Sequence, residues 1–351
     1  MDSAPRSLQI QMKNRKICVP VNSDSRSFSN LRRDSTEAME ISDTSCVRIL
    51  LLVNESASSV TARTRVLIQA ALAEHHDVEL AMTSRRGHAS RLARGAAATG
   101  TDVVAVLGGD GTLNEAANGL AGTECALAPL PGGSTNVFAR TIGLADDPRE
   151  ATTQIIEAIA GGSIEPVGLG EVAGRYFLFH CGSGFDAAVV QQVERRAALK
   201  RYAGHPLFLW AGINTWLRHY DRSKARMKVE HSLGSVDDSY FTIVLNTDPY
   251  TYLGSRPLSL ATTAGLKNGL SVVALRSMSL VTMARLLGEL FQGKPLENSD
   301  EVYIAHDIDS LKITGYKPFP YQLDGDYLGQ VDQLDFKWRP EVLRLVKPAN
   351  R

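Results

Sequence analysis

One aspartate among glycines follows a short apolar run, and this combination could bind a phosphate-bearing ligand. Residues 103–107 are all apolar, as in a buried strand, and they lead directly into Gly-Gly-Asp-Gly-Thr at 108–112. Apolar residues then recur with a helical period from Leu113 to Leu120. A strand, a glycine turn and a helix N-terminus present free backbone N–H groups to an anion. A carboxylate at Asp110 within such a site suggests a nucleotide with Mg²⁺ and phosphoryl transfer.

Other phosphate motifs do not match this turn. The chain contains no Walker loop, and Asn114 stands where a dinucleotide fingerprint would have its third glycine. A tight turn whose glycines serve only backbone geometry is the structural alternative.

In the first half of the chain, predicted strands alternate with predicted helices. This alternation predicts a parallel sheet, whose ligands bind at the carboxyl ends of the strands. A polar loop follows each predicted strand there. The four loops are Asn54–Ser59, Thr83–Gly87, Gly108–Thr112 and Gly132–Asn136.

The second half of the chain has a different pattern of predicted elements. After a predicted helix at Pro148–Ala160, strand-like runs are separated by turns, which indicates a mainly antiparallel domain. We therefore predict a disordered tail at 1–45, a nucleotide-binding α/β domain at 46–162 and a β-rich substrate domain at 163–351.

Composition excludes several classes of protein. Lys plus Arg and Asp plus Glu are both 38, so charge gives no reason to expect nucleic acid as a partner. The four cysteines form no Cys-x-x-Cys pair, which fits a reducing cytosol better than a disulfide framework. No apolar run is long enough to span a bilayer. We expect a cytoplasmic protein that can attach to the inner membrane face.

A second glycine motif carries a family resemblance. Pro-Gly-Gly-Ser-Thr-Asn-Val-Phe-Ala-Arg at 131–140, together with the first motif, resembles the diacylglycerol kinase catalytic family, which includes sphingosine and bacterial lipid kinases. The first motif also occurs in NAD kinases and phosphofructokinases, whereas the second is much more specific. The resemblance covers residues 47–348. It implies an N-terminal phosphofructokinase/NAD-kinase-like α/β domain and a C-terminal, mainly antiparallel β-sandwich, with ATP, Mg²⁺ and the lipid headgroup in the cleft between them.

The resemblance also implies the nucleotide site. Asn54 matches the start of the family's first loop, although Glu55 replaces its proline, and Thr83 matches a nucleotide-contacting threonine. The implied nucleotide-binding residues are Asn54, Thr83, Gly108, Gly109, Asp110, Gly111, Thr112, Leu113, Asn114, Gly132, Gly133, Ser134, Thr135 and Asn136.

The family's catalytic Asp-Gly-Glu has a counterpart at Asp324-Gly325-Asp326, in which Asp326 replaces the glutamate. The resemblance implies that Asp326 is the base or a metal ligand, that Asp324 is its partner, and that Asp110 helps to hold Mg²⁺. Asp-Gly is also a strong hairpin signal, and both interpretations can hold together. Asp186 resembles a family residue that orients the acceptor's polar head, and a helix N-cap is the alternative.

Three further parts of the chain bear on metal, membrane and phosphate binding. The accessory metal stretch has lost both of its acids, so we expect no occupied Mg²⁺ site near Asn268. A segment at 195–226 combines basic residues with Trp and Leu, which suits an anionic membrane surface; a core helix with solvated charges is the alternative. Arg140 could neutralise phosphate charge or form a surface salt bridge.

The leading hypothesis is an ATP-dependent lipid kinase that acts on diacylglycerol. A sphingoid-base kinase, an NAD kinase and a catalytically weak lipid- or nucleotide-binding protein are the alternatives. The sequence leaves the oligomeric state open, a homodimer included.

Overall fold

The structure, a computed structural model, describes residues 46–195, 210–296 and 298–348. The predicted tail at 1–45 lies outside these stretches. From Val47 onward the described chain forms one compact unit. Its elements in chain order are β1 (Arg48–Val53), α1 (Ala62–Ala73), β2 (Asp77–Met82), α2 (His88–Ala98), β3 (Val103–Gly108), α3 (Asp110–Leu120), β4 (Ala126–Pro131), α4 (Val137–Thr141), α5 (Pro148–Ala160), β5 (Ile164–Val172), β6 (Arg175–Phe177), β7 (His180–Ser183), α6 (Phe185–Glu194), a π-helix (Thr215–His219), β8 (Met227–His231), β9 (Gly234–Ser239), β10 (Phe241–Leu245), β11 (Thr251–Leu253), β12 (Arg256–Leu258), β13 (Leu270–Leu275), α7 (Leu280–Gln292), β14 (Val302–Ile308), β15 (Ser310–Leu323) and β16 (Asp326–Val346).

The first four strands form the predicted parallel sheet, in the order β2-β1-β3-β4. Both faces of the sheet are covered, because β1, β3 and β4 are almost entirely buried. Helix α1 packs against α5, and α2 packs against α3. This arrangement confirms the α/β interpretation and brings the carboxyl ends of the strands to one edge.

The later strands are mainly antiparallel, as predicted. β7 pairs with both β10 and β15, and β13 joins β10 to β14. Alternate residues of β10 and β13 enter two different hydrophobic clusters, so both faces of these strands are buried. One cluster lies between the strands and α7. The other is enclosed by β5, β8, β15 and β16 of the same sheet.

The last strand connects the two parts of the sheet. β16 begins in a hairpin with β15 and ends beside β4, where Leu345 pairs in parallel with Leu127. The sheet is therefore continuous, and the predicted boundary at 162/163 stays a prediction.

The sequence also predicts helices near Ala187–Tyr202 and Pro206–Tyr220, and the structure describes only parts of both. The described pieces are α6 and a helical stretch at 210–219. Residues 196–209, which carry much of the predicted basic and apolar segment, lie outside the described residues. Within the described stretches, no helix is long and apolar enough to cross a membrane.

Candidate active site

Loops that follow the parallel strands contact one another at the carboxyl edge of the sheet. Asn54, after β1, donates from Nδ2 to Oγ1 of Thr112 over 2.8 Å. The backbone N–H of Ser59 donates to the carbonyl of Gly132 over 3.0 Å. The backbone N–H of Thr83, which follows β2, donates to the carbonyl of Val53, the last residue of β1, over 2.9 Å. The structure thus places the predicted nucleotide loops side by side.

The two glycine motifs touch through their main chains. Gly132 donates its N–H to the carbonyl of Gly108 over 2.9 Å. A Cβ atom on Gly132 would lie 2.8 Å from the nitrogen of Gly108, and a Cβ atom on Gly133 would lie 2.8 Å from Cα of Gly109. A side chain at Gly132 or Gly133 would therefore push the loops apart. Together the loops form one main-chain surface that suits phosphate oxygens.

Asp110 is the first residue of α3, and it orders the second motif. Its Oδ2 accepts a hydrogen bond from the N–H of Val137 over 3.0 Å, and its Oδ1 accepts one from the N–H of Phe138 over 3.2 Å. The carboxylate therefore faces the N-terminus of α4, where an acidic group is favoured. These two hydrogen bonds to α4 are a structural reason for an aspartate between the glycines, whether or not a nucleotide binds. The role of Asp110 as a Mg²⁺ ligand stays a prediction.

Asn136 shapes the second glycine loop. Its backbone is left-handed, with φ at 50°, and its Oδ1 accepts from the N–H groups of Gly132 and Gly133 over 3.2 and 2.7 Å. Ser134 is exposed and Thr135 is half-buried. These two residues lie at the surface of the loop, where the resemblance expects hydroxyls that contact ATP.

Two residues of the first motif face the interior. Leu113 belongs to the hydrophobic core, and Asn114 is buried. Nδ2 of Asn114 donates to Oδ2 of Asp324 over 2.8 Å and to the carbonyl of Tyr176 over 2.9 Å. Any contact of Leu113 or Asn114 with a nucleotide would therefore use the main chain rather than the side chain.

Asp324 and Gly325 form the predicted hairpin turn between β15 and β16. Both have positive φ, 46° and 82°, as a type I′ turn requires. The Asp324 carboxylate is buried and accepts from the N–H groups of residues 178–180 over 2.7 to 3.1 Å, and from Asn114. Burial raises the pKa of Asp324 to about 6, against hydrogen bonds that lower it. Asp324 thus joins the hairpin, the start of β7 and α3.

Asp326, the first residue of β16, has a different environment. Its Oδ1 lies 3.5 Å from the position that a Cβ atom of Gly111 would occupy, so the carboxylate stands beside the first turn of α3. Its side chain is 25 % exposed, and Oδ2 lies 3.0 Å from Nη2 of Arg86. Of the two predicted carboxylates in the hairpin, Asp326 is the accessible one.

Three charged residues around this site were missed by the sequence interpretation. Arg86, in the loop after β2, contacts Asp326 and lies 3.8 Å from Oε1 of Glu194. Glu194 also accepts from the N–H of Tyr327 over 3.1 Å. Glu115 accepts from the N–H of Gly87 over 2.7 Å and so fixes the loop that carries Arg86. A basic pair in a loop at a strand end was the available signal for Arg86.

Asp186 lies in a polar cluster on the β-rich side. The hydroxyl of Tyr250 donates to its Oδ1, and Nε2 of Gln322 donates to its Oδ2 over 2.7 Å. Oε1 of Gln322 accepts from the N–H of Gly325, which links the cluster to the hairpin turn. Helix α6 begins before Asp186, at Phe185, and the carboxylate is engaged with Tyr250 and Gln322, so the alternative of a plain N-cap is wrong. Contact with an acceptor stays a prediction.

His180 lies against this cluster. Its ring centroid is 4.5 Å from that of Tyr250, and the side chain is buried. Burial lowers the pKa of His180 to about 4, although the charge of Asp186 opposes this shift. The imidazole is therefore neutral near pH 7.

Among the described residues, Arg140 contacts an aromatic ring and a main-chain carbonyl and forms no salt bridge. Its guanidinium lies 3.7 Å from the ring centroid of Tyr252, and Nη2 donates to the carbonyl of Gly254 over 2.9 Å. These contacts tie α4 to the β11–β12 hairpin.

The accessory metal stretch does not fit Mg²⁺. Asn268 donates to the carbonyl of Thr263, and the hydroxyls of Thr263 and Ser271 lie 2.7 and 3.0 Å from Nδ1 of His306. Burial lowers the pKa of His306, which keeps its ring neutral. The nearby Asp307 carboxylate accepts from the N–H of Gly269 over 2.9 Å, and the stretch itself offers neutral groups that bond to one another where Mg²⁺ prefers carboxylates.

The glycine loops together with Asp326 fit a nucleotide-bound Mg²⁺ better. Mg²⁺ in kinase sites is commonly held by one or two carboxylates together with substrate phosphates. Asp326 is accessible, and a Mg²⁺ ion held by it would share the carboxylate with the guanidinium of Arg86 at Oδ2 or displace it. In the described stretches no group of three or more His, Cys, Asp or Glu side chains forms a ready-made metal site. Phosphate oxygens would have to complete the coordination.

Comparisons with known proteins agree with this geometry. Residues 48–172 match the diacylglycerol kinase catalytic domain family. The chain is 25% identical to the diacylglycerol kinase of Bacillus subtilis (strain 168) over 71% of its own length and 79% of that protein. It is 27% identical to a "probable lipid kinase YegS-like" protein of Pseudomonas putida over 78% of its length and 86% of that protein.

The fold is also shared with a solved structure. A diacylglycerol kinase from Bacillus anthracis str. Sterne superposes with a TM-score of 0.64 at 21% identity, over 86% of this chain and 96% of that one. Residues 48–172 thus carry a match to the diacylglycerol kinase catalytic domain, and over most of its length the chain is similar to lipid kinases.

Proposed function

We propose that this protein transfers the γ-phosphoryl group of ATP to a lipid hydroxyl, with diacylglycerol as acceptor and phosphatidic acid as product. The position of Asp326 is the observation that carries the proposal. Its carboxylate is accessible and lies beside the first turn of α3, next to the glycine main chain. A base in this place can reach both a phosphate held by the loops and a hydroxyl that enters from the β-rich side.

The proposed chemistry needs one base and much positioning. Asp326 accepts the proton of the lipid hydroxyl as its oxygen bonds to the γ-phosphorus, while the bond from phosphorus to the β,γ-bridging oxygen breaks and ADP leaves. The main chain at Gly108–Thr112 and Gly132–Asn136 binds the phosphates. Mg²⁺, when bound, neutralises phosphate charge. Asp326 and Asp110 are the residues that would hold it.

The neighbouring residues position these groups. Asp324 fixes the hairpin that carries Asp326, because its four hydrogen bonds anchor the turn. Asp186 is buried and its carboxylate is held by Tyr250 and Gln322, so in the proposed enzyme it orients the acceptor's polar head through this cluster. Since the acceptor is a lipid, the proposed enzyme acts at a membrane surface, and the ATP requirement places it on the cytoplasmic side.

Label transfer from γ-labelled ATP with Mg²⁺ tests the proposal. Diacylglycerol, monoacylglycerol, sphingosine and ceramide would be offered in mixed micelles, with NAD in a parallel reaction. We expect label in phosphatidic acid. Label mainly in the sphingosine product would identify a sphingoid base, and not diacylglycerol, as the acceptor. Label only in NADP would contradict a lipid acceptor altogether. Bound ATP without any label transfer would favour a binding protein.

Replacing Arg86 by Ala is expected to lower kcat about 10- to 100-fold. Arg86 is the cation beside Asp326, so it can neutralise charge that develops on the transferred phosphoryl group. Its 64 % exposure places the expected effect below the loss of about 10²- to 10³-fold that is typical of a preorganised donor in a water-excluded site. Steady-state kinetics at saturating ATP measure the effect. Arg85→Ala, its exposed neighbour in the same loop, is the matched control and should keep wild-type kcat. Equal losses in both variants would contradict a specific role for Arg86.

A further inference from the structure

Helix α7 turns an apolar stripe toward solvent. Leu280, Val281, Leu287 and Phe291 are all exposed, Leu280 by 67% and Val281 by 79%. The opposite side of the helix packs against the sheet through buried Leu286. A surface helix normally buries its apolar stripe, so large apolar residues on its outer face indicate an interaction surface.

The β11–β12 hairpin extends this surface toward the candidate active site. Leu253 is exposed at the end of β11. Nη1 of Arg256 donates to the carbonyl of Phe291 over 2.6 Å and so joins the hairpin to the end of α7. Tyr252 lies against Arg140 of the second glycine motif. We call the exposed residues of α7 and the hairpin the apolar docking face; they are Leu253, Leu280, Val281, Leu287 and Phe291.

The docking face lies close to the candidate acceptor site. Tyr250, whose hydroxyl donates to Asp186, is three residues before Leu253. Three residues of extended chain span at most about 10 Å. A lipid whose polar head reaches the cluster of Tyr250, Gln322 and the buried Asp186 would therefore have its acyl chains near the surface that carries Leu253.

The charges on this face favour an anionic partner. Arg256 and Lys294 are both exposed at the end where the hairpin meets the C-terminus of α7. Exposed cations beside an apolar helix face are typical of binding to anionic lipid surfaces. A second copy of the chain fits less well, because a two-fold interface presents the same patch twice and would bring like charges into one interface.

We propose that the apolar docking face binds the surface of an anionic lipid bilayer and presents the acceptor cleft to it. This inference rests on the proposed lipid acceptor. It places the membrane contact on α7 and the β11–β12 hairpin, in addition to any contribution from the basic segment predicted at 195–226.

Vesicle sedimentation of the full chain tests the proposal. The vesicles would be phosphatidylcholine alone or phosphatidylcholine mixed with phosphatidylglycerol. We expect the wild-type protein to bind the mixed vesicles and the L280Q/L287Q variant to bind at least about tenfold more weakly, since burial of each leucine is worth roughly that factor. L233Q is the matched control, because Leu233 is also 67% exposed but lies in the β8–β9 turn. Wild-type binding by L280Q/L287Q, or an equal loss in L233Q, would overturn the proposal.

A charge variant and a measurement of mass complete the test. R256Q/K294Q is expected to weaken binding to the anionic vesicles several-fold and to reduce its salt dependence. Analytical ultracentrifugation tests for the second copy. If the wild-type protein is a dimer that L280Q/L287Q converts to monomer, with vesicle binding unchanged, the face joins two chains and the proposal fails.

An activity assay separates this inference from the proposed function. On diacylglycerol in vesicles, L280Q/L287Q should lose at least about fivefold in rate, whereas on a monomeric short-chain diacylglycerol it should match wild type. Wild-type protein that sediments with vesicles but phosphorylates neither acceptor would contradict the proposed function and leave the docking face standing. Wild-type protein that phosphorylates both but never sediments would overturn the docking face alone.

Discussion

Asp326→Asn is expected to lower the rate of label transfer to lipid about 10²- to 10⁴-fold, the range for loss of a general base. An amide has the shape of the carboxylate but cannot accept the hydroxyl proton. The fold should survive, because the contact that Asp326 loses is an ion pair with Arg86, whose side chain is exposed, and such pairs contribute only about 0–1 kcal/mol. The melting temperature should therefore stay close to that of the wild-type protein.

Two further variants make this prediction specific. Asp332→Asn removes an exposed carboxylate from the same strand, β16, and should keep full activity. Asp326→Glu restores the side chain of the family motif and should keep more activity than Asp326→Asn, although a displacement of the carboxylate by one methylene can itself cost up to about 10²-fold. Substantial activity in Asp326→Asn would contradict the assignment of Asp326 as the base and direct attention to Glu194, which lies against the same arginine.

The parts of the site that sequence predicts are local in the chain. The strand, glycine turn and helix around Asp110 are encoded within a few neighbouring residues, and the Asp324-Gly325 turn needs only two residues that tolerate positive φ. Parallel pairing then brings successive loops to one edge. Each of these inferences depends on short-range rules.

The environments of the two hairpin aspartates could not be predicted in the same way. They are separated by one glycine, yet Asp324 is buried and Asp326 is accessible. The difference arises because distant segments, residues 178–180 and Arg86, supply the partners. Sequence spacing identifies the pair but does not distinguish a positioning residue from a base.

Helix α7 shows a second limit. The spacing of its apolar residues predicts an amphipathic helix, and the structure has that helix. Periodicity does not tell which side of a helix meets the core, since the sheet beneath accepts Leu286 while Leu287 faces solvent. The exposed stripe became visible only when tertiary packing was known.

Asp324→Asn is expected to cost about 2–4 kcal/mol in the free energy of unfolding at pH 7. The carboxylate accepts from the N–H groups of residues 178–180 and from Asn114, all in the interior. An asparagine oxygen can accept only part of this set, while its NH₂ group faces the remaining donors, and each unsatisfied buried group costs about 1–3 kcal/mol. Chemical denaturation measures the loss, with Asp332→Asn as the exposed control. A loss below about 1 kcal/mol would contradict the anchoring role of Asp324.

The pH dependence of the same comparison tests the ionisation of Asp324. Its folded pKa of about 6 exceeds the ordinary value of 3.8, so the folded state binds a proton between pH 4 and 6 that the unfolded state has released. This contribution to stability is therefore present at pH 4 and is lost as the pH rises through 6, by about 3 kcal/mol in total.

His180 acts in the opposite direction, because its folded pKa of about 4 lies below 6.5 and its contribution is lost as the pH falls through 4. The two contributions largely cancel in the wild-type protein, so the difference between wild type and Asp324→Asn is the informative quantity. That difference should shrink from pH 4 to pH 6, and a constant difference would mean that the four N–H donors outweigh burial and keep Asp324 ionised throughout.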